Sequence, residues 1–212
     1  MKNKTEKDFT KKIIAQYMNF VLENSRPPHS AYEFSKNQSF SEEDFYNHFG
    51  SFENLAQSIF LEFFKNTTTL IHKNKDYQEF DAKEKLITFY FTLFEVLKGN
   101  RSYVVTALSE ASQGNQLKKI KKEFKAYIQS LDIDVIDLNQ KNLNDIQEKG
   151  IACFAWEQFI FILKFWLKDS SPAFEKTDLL IEKSLTASFD LINSTPLRSL
   201  IDLSKFLIKD RL

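Results

Sequence analysis

The chain is poor in the residues that most often form cross-links and tight turns, with one cysteine, four glycines and four prolines among 212 residues. The single Cys153 excludes a disulfide within the chain and a cysteine-cluster metal site, which suits a reducing compartment. So few glycines and prolines argue against a turn-dense, sheet-rich architecture and against low-complexity disorder. The chain instead has long periodic apolar runs rich in phenylalanine and leucine, which predict an all-α protein.

The first residues do not show the pattern of a signal peptide, and no clear membrane span is expected. The first twelve residues, MKNKTEKDFTKK, are charged and have no apolar segment behind them, so no signal peptide is expected. The longest apolar run, residues 151–167, is interrupted by Glu157, Gln158 and Lys164, and a span needs about 20 apolar residues. These three residues are interpreted as a solvent-facing stripe of a buried helix, or as polar contacts to a ligand or a dimer partner. A soluble, cytoplasmic protein is expected.

Motifs for catalysis and metal binding are missing. The three histidines, His29, His48 and His72, lie on different predicted elements. No nucleophile elbow, phosphate loop, zinc-helix motif or dinucleotide fingerprint occurs. Cys153 lies among apolar residues and is predicted to be a small core residue. We expect no enzyme activity and no metal or cofactor.

Apolar periodicity divides the chain into helices. Residues 7–24 are predicted to form the first helix, because their apolar residues recur with helical spacing. Pro27 and Pro28 cannot continue this helix. Ser30 with Glu33, and Ser41 followed by acidic residues, are typical helix starts, so a short helix is expected after each. Further helices are predicted near residues 52–74, 82–98, 101–113, 115–130, 142–168, 173–193 and 197–210.

The most specific pattern is SFSEEDFYNHFGSFENL, residues 39–55. Its segment 45–49, FYNHF, followed by Ser51, Glu53 and Leu55, resembles the end of the helix-turn-helix in TetR-type transcriptional regulators. The resemblance is specific over about residues 30–60. It implies an all-α, TetR-like fold, with a three-helix DNA-binding domain over residues 1–50 and a larger helical ligand-binding and dimerisation domain over residues 51–212.

The resemblance also implies which residues bind. Duplex DNA would be contacted by Ser30, Ser41, Glu42, Tyr46 and His48. For Tyr46 and His48, the alternative that both belong to a packing motif stays open. A homodimer is expected through the helices near residues 142–168 and 173–193, in a four-helix bundle.

The second domain is rich in aromatic residues, and in the resembled family this domain encloses a small-molecule pocket. A small hydrophobic ligand is therefore expected in a pocket lined by Phe89, Tyr90, Phe94, Phe154, Trp156 and Phe159. Ordinary packing of these rings in the core and the dimer is the alternative.

Charge in the predicted helix-turn-helix is unfavourable for DNA. Acidic and basic residues balance at 29 each over the chain, but residues 13–60 hold two basic and six acidic residues. Glu42, Glu43 and Asp44 begin the recognition helix, and their charge opposes binding to phosphates. Phe52 stands where the family has a phosphate-anchoring lysine. A basic run at residues 118–125 is interpreted as a solvated face or a patch for an anionic ligand.

Two functions follow. The first is a ligand-responsive transcriptional regulator, usually a repressor, that releases DNA when the ligand favours another conformation. The second is a TetR-fold protein that has lost DNA binding and binds lipid, like the accessory proteins of coenzyme Q synthesis. Residues 166–175 resemble loosely the turn at their penultimate helix. The predicted last helix, residues 196–212, would either touch a membrane or dock on its own domain.

Overall fold

The computed structural model describes residues 2–36, 38–108, 113–133 and 141–192, and within these ranges it contains helices and no strand. The predicted all-α fold is confirmed. The α-helices are α1 Lys2–Asn24, α2 Ala31–Ser35, α3 Glu42–His48, α4 Phe52–Ile71, α5 Ala82–Lys98, α6 Arg101–Ala107, α7 Gln113–Gln116, α8 Lys118–Ser130, α9 Lys141–Lys168 and α10 Glu175–Ile192. Short 3-10 helices span Lys75–Gln78 and Pro172–Phe174.

Several predicted helix ends differ from the structure. The first helix begins at Lys2 rather than at residue 7, and the helix predicted over residues 101–113 ends at Ala107. The helix predicted over residues 115–130 is broken at Leu117, a buried residue in a turn between α7 and α8. The helix predicted near residues 197–210 lies outside the described residues.

The chain groups into two compact units. The first combines Met1–Thr67 with Leu93–Lys121, and the second combines Thr68–Thr92 with Lys122–Leu212. Helices α4, α5 and α8 each contribute residues to both units. The domain boundary predicted near residue 50 stays a prediction.

Aromatic rings form much of the core of the first unit. Helix α1 places Ile13, Tyr17 and Val21 on one buried face, because residues four apart lie above one another on a helix. Tyr17 stacks on Phe52 of α4 with ring centroids 5.7 Å apart, and Phe52 also lies 4.8 Å from Phe45 of α3. These contacts tie α1, α3 and α4 together.

The core of the second unit is built from α5, α8 and α9. Phe89 of α5 stacks on Tyr127 of α8 at 4.5 Å, and Phe124 of α8 stacks on Phe159 of α9 at 5.2 Å. The Tyr127 hydroxyl lies 2.7 Å from the Tyr77 hydroxyl and donates to the backbone oxygen of Lys85 at 3.2 Å. The hydroxyl of the half-buried Tyr127 is therefore hydrogen-bonded.

Helices α9 and α10 run antiparallel. Trp166, near the end of α9, contacts Phe174 just before α10, while Gln158, two turns earlier, donates to Ser188 far along α10 at 2.9 Å. The turn between them requires left-handed backbone at Ala173 (φ 52°) and Phe174 (φ 66°). This turn allows the two helices to pack against each other.

Candidate functional site

Ser30 lies at the N-terminus of α2, where its hydroxyl accepts from the backbone amide of Glu33 at 3.1 Å. A serine followed three residues later by a glutamate predicts a capping box, but the Glu33 side chain does not accept from the Ser30 amide. The Glu33 carboxylate instead accepts from the His29 amide at 2.7 Å and from both terminal nitrogens of Arg26, at 2.6 and 3.2 Å. Hydrogen bonds from Arg26, then from His29, lower the pKa of Glu33 to about 2. Arg26, one of two basic residues in the segment 13–60, is therefore occupied by Glu33.

Ser41 caps α3 in a reciprocal capping box. Its hydroxyl accepts from the Asp44 amide at 3.1 Å, and the Ser41 amide and hydroxyl both donate to one Asp44 carboxylate oxygen at 2.8 Å. These bonds lower the pKa of Asp44. The three acidic residues predicted at the start of the recognition helix therefore have different surroundings. Asp44 forms part of the cap, whereas Glu42 and Glu43 face solvent.

Tyr46 and His48 differ in their surroundings. Tyr46 is 55% exposed, and its ring rests on Phe45 at 5.3 Å. His48 is half-buried, with its ring 5.1 Å from Phe9 of α1, and its Nδ1 donates to the backbone oxygen of Asp44 at 2.8 Å. Tyr46 therefore offers an accessible side chain on α3, whereas His48 also holds α3 against α1.

Phe52 is half-buried at the start of α4 and packs inward rather than into solvent. Its ring contacts Tyr17, Phe34 and Phe45. The start of α4 is contacted by a lysine of another helix, Lys119 of α8. Its Nζ donates to Asn54 Oδ1, to the Asn54 backbone oxygen at 3.3 Å and to Ser58 Oγ at 2.9 Å. Sequence analysis identified the lysine run but gave no sign of this contact, which joins residues 65 positions apart.

The six residues expected to line a ligand pocket are not all brought together. Phe89, Tyr90, Trp156 and Phe159 are buried in the second unit, around Phe124. Phe94 is buried too but belongs to the first unit, and Phe154 is 54% exposed. Sequence analysis missed Phe124 and Tyr127 of α8, although the apolar stripe that carries them repeats with helical spacing.

A cleft of about 400 Å³ opens elsewhere in the second unit, where α8 ends beside α9. Its wall combines apolar side chains with two carboxylates, those of Asp132 and Glu148. None of the six predicted pocket residues lines this cleft. Its residues are Ile128, Gln129, Ser130, Leu131, Asp132, Ile133, Glu148 and Ile151.

One face of α9 exposes aromatic rings. Phe154, Phe161 and Phe165 are spaced by seven and four residues, so they lie on one side of the helix, and all three are exposed. The opposite side buries Trp156, Phe159 and Trp166. Leu179 and Leu191 of α10 are exposed as well.

Polar residues of α9 fall between its two apolar faces. Glu157 and Lys164 are exposed, and Gln158 is half-buried against Ser188. Cys153 is also exposed, and Lys125 Nζ donates to its Sγ at 3.0 Å. The prediction of a buried Cys153 is therefore wrong, because a helix that is apolar on nearly every side does not reveal which side is buried.

By length and composition, one helical stretch in the described part of the chain could cross a membrane, Gln147–Lys168 of α9, with a mean hydropathy of 1.4. The core helix of a soluble protein meets the same criteria. The buried face of this stretch packs Trp156 and Phe159 against Phe124 of α8. Within the described residues, no group of three or more His, Cys, Asp or Glu side chains is placed to hold a metal ion.

Comparison with known proteins decides the family. Residues 85–207 match the family model described as tetracyclin repressor-like, C-terminal domain, which covers more than half of the chain. The chain belongs to this family. No curated protein matches the chain. The TetR-type assignment, which rested on the helix-turn-helix motif near the N-terminus, is thus confirmed by a match to the opposite end of the chain.

Proposed function

We propose that this TetR-family protein is a cytoplasmic transcriptional regulator, acting as a repressor, that binds duplex DNA as a homodimer. The observation that carries the proposal is the α2–α3 pair, two short capped helices packed on each other, with Tyr46 exposed on α3. Such a pair is the unit that helix-turn-helix proteins place against the major groove. Here the pair precedes a family domain typical of regulators.

The exposed face of α9 supports the homodimer. Phe154, Phe161 and Phe165 leave apolar surface in water, and contiguous exposed apolar surface marks interaction sites. Fully burying an exposed phenylalanine contributes about 1.5–3 kcal/mol, and these rings, which are 37–58% exposed, would each contribute about half of that. Pairing α9 and α10 with the same helices of a second copy would give the four-helix bundle expected for the family.

The aromatic core of the second unit supports a small hydrophobic ligand. Its rings, centred on Phe124, offer apolar contacts and no charged group. A ligand would insert between the rings and shift their packing. It would release DNA only if it bound the DNA-free conformation more tightly.

Selection from a random duplex library tests the proposal. A homodimer with two reading heads is expected to enrich an inverted repeat, because the protein's two-fold symmetry is mirrored in its site. Tyr46→Ala is expected to lose the enrichment while retaining the wild-type melting temperature. A selection that enriches no sequence would contradict a sequence-specific regulator.

A second candidate function is favoured by the charge of α3. Glu42 and Glu43 are exposed, Arg26 is paired with Glu33, and Phe52 is an apolar ring packed against Phe45, so the helix-turn-helix presents little positive charge of its own. A TetR-fold protein that binds lipid instead of DNA would have this surface. Native mass spectrometry of the purified protein tests this candidate, which requires a co-purified lipid of defined mass. The lipid-binding function also requires that the protein does not bind DNA at low salt.

A further inference from the structure

The first turn of α8 brings an ammonium group to the start of α4. All three acceptors of Lys119 Nζ are neutral oxygens, those of Asn54 and Ser58. Burial, then the charge of Lys65, lowers the pKa of Lys119. The amide groups at a helix N-terminus add partial positive charge. The first turn of α4 carries an acidic residue, Glu53, and no basic one, so Lys119 supplies positive charge that α4 does not have there from its own side chains.

The Lys119 ammonium group lies near the end of α3, the candidate DNA-binding helix. Helix α3 ends at His48 and α4 begins at Phe52, with three residues between them. Ser51 caps α4, because its hydroxyl accepts from the Asn54 amide at 3.1 Å. Since Lys119 contacts the same Asn54, the first turn of α8 lies beside the exit of α3.

A second lysine extends the charge to the surface. Lys118 precedes Lys119 on α8 and is exposed. On α4, Asn54, Ser58 and Lys65 share one face, because they are spaced by four and seven residues. Lys65 Nζ pairs with Glu62 Oε1 at 3.4 Å, but this single contact is more exposed than the two-bond Arg26–Glu33 pair, since the Lys65 and Glu62 side chains are 57% and 49% exposed. We name Lys65, Lys118 and Lys119 the α4–α8 lysine patch.

We propose that the α4–α8 lysine patch contacts the phosphate backbone of duplex DNA beside the α3 helix and supplies the positive charge that the helix-turn-helix lacks. Phe52 cannot bind phosphate, since its ring is packed against Phe45, and Arg26 is held by Glu33. Lys119 lies against the first two turns of α4, and Lys65 lies about three turns beyond Asn54 on the same face, which is not the side that Phe52 occupies. The inference rests on the proposed DNA binding and identifies which residues supply its sequence-independent part.

Salt dependence of DNA binding tests the patch. Each phosphate contact adds about 0.9 to the slope of log affinity against log salt concentration. Lys118→Ala is expected to lower the slope by about 1 and to weaken binding to any duplex sequence alike. The control, Lys183→Ala, removes the same charge from an exposed position of α10 and is expected to leave the slope unchanged.

Lys119 also holds α8 against α4, so its test needs two variants. Lys119→Arg keeps the charge and is expected to keep the slope, whereas Lys119→Met is expected to lower the slope by about 1. Melting temperatures measured alongside show whether each variant is folded. Should Lys119→Met unfold, the Lys118→Ala result decides alone.

The outcomes separate this inference from the proposed function. Wild-type binding with an unchanged slope in Lys118→Ala, but weaker binding in Tyr46→Ala, would overturn the lysine patch and leave the regulator intact. No wild-type binding to DNA even at low salt would overturn both. A lowered slope in Lys118→Ala and not in Lys183→Ala supports both.

Discussion

Asp169 shows at the scale of one residue how the α9–α10 turn is stabilised. It is only 7% exposed and accepts from the amide and hydroxyl of Ser171, at 2.8 and 2.7 Å, and of Thr177, at 3.0 and 2.7 Å. Burial raises the pKa of this carboxyl, but the hydrogen bonds from Thr177 and Ser171 outweigh burial and hold the pKa at about 2. The ionised side chain therefore fixes the start of α10.

The first prediction follows from the sign of that shift. Because the pKa of Asp169 is lower in the folded chain than the ordinary 3.8, its contribution is present above pH 4 and is lost as the pH falls towards 2. Asp169→Asn is expected to lower the free energy of unfolding by about 1–2 kcal/mol at pH 7. Urea denaturation at several pH values is expected to show the difference shrinking between pH 4 and pH 2.

A matched control is Glu175→Gln, which removes an exposed carboxylate from the first turn of the same helix. Its effect is expected to stay within about 0.5 kcal/mol. Equal losses for the two variants, or a loss for Asp169→Asn that does not depend on pH, would contradict the role of the Asp169 charge.

Residues that act within a few positions of one another could be predicted from the sequence. The serine caps of α2 and α3 follow from Ser30 and Ser41, because each cap is made within four residues. The partner of Glu33 could not be predicted, because Arg26 reaches it only after the turn at Pro27 and Pro28. The sequence also did not show which side chains of α9 are exposed, as the exposed Cys153 illustrates.

At the scale of the element, α9 has two apolar faces, one buried and one exposed. Its buried side packs Trp156 and Phe159 against α8, while its exposed side carries Phe154, Phe161 and Phe165. Periodicity predicted the helix and its approximate ends. It could not separate the two surfaces, because both are apolar and a hydrophobic pattern shows only where apolar residues recur.

The second prediction concerns the exposed side of α9. Phe161→Glu is expected to convert a homodimer into monomers, because the carboxylate would be buried without a partner in the proposed bundle. Sedimentation velocity measures the change, and far-ultraviolet circular dichroism is expected to show unchanged helix content. Leu70→Glu, at an exposed position of α4, is the control and is expected to leave the dimer intact. A wild-type monomer, or a dimer unaffected by Phe161→Glu, would contradict this interface.

The third prediction concerns the buried side of α9. The chain has two tryptophans, Trp156 beside Phe124 and Trp166 beside Phe174. A ligand that enters the aromatic core is expected to change the emission of Trp156. Titrating a long-chain fatty acid or a flat aromatic acid into Trp166→Phe, which retains only Trp156, is expected to give a saturable change.

The reciprocal variant, Trp156→Phe, retains only Trp166 and serves as the control. Its emission is expected to change much less over the same titration. A larger change at Trp166 would place the ligand near the α9–α10 turn and contradict binding among the rings around Phe124.

At the scale of the molecule, two separate parts of the chain indicate the same family. The helix-turn-helix pattern at residues 45–55 and the C-terminal domain match at residues 85–207 lie in different parts of the chain and agree. Contacts between distant positions could not be predicted, since periodicity says nothing about which helices pack together. Examples are Lys119 with Asn54 in the first unit and Phe124 with Phe159 in the second.

The balance of charge decides between the two functions. Exposed Glu42 and Glu43 oppose DNA, while the lysine patch beside the start of α4 favours it. Interactions with phosphate depend on the release of counterions and so on salt, whereas a lipid-binding role does not require them. Affinity for DNA measured against salt concentration therefore distinguishes a regulator from a lipid-binding relative.

The most direct measurement is fluorescence anisotropy of a labelled mixed-sequence duplex with the purified protein, from low to physiological salt. The regulator is expected to bind with an affinity that falls steeply with salt, with a slope equal to several phosphate contacts. Tyr46→Ala is expected to weaken that binding without changing the melting temperature. No binding by the wild-type protein even at the lowest salt would contradict the regulator and leave the lipid-binding candidate.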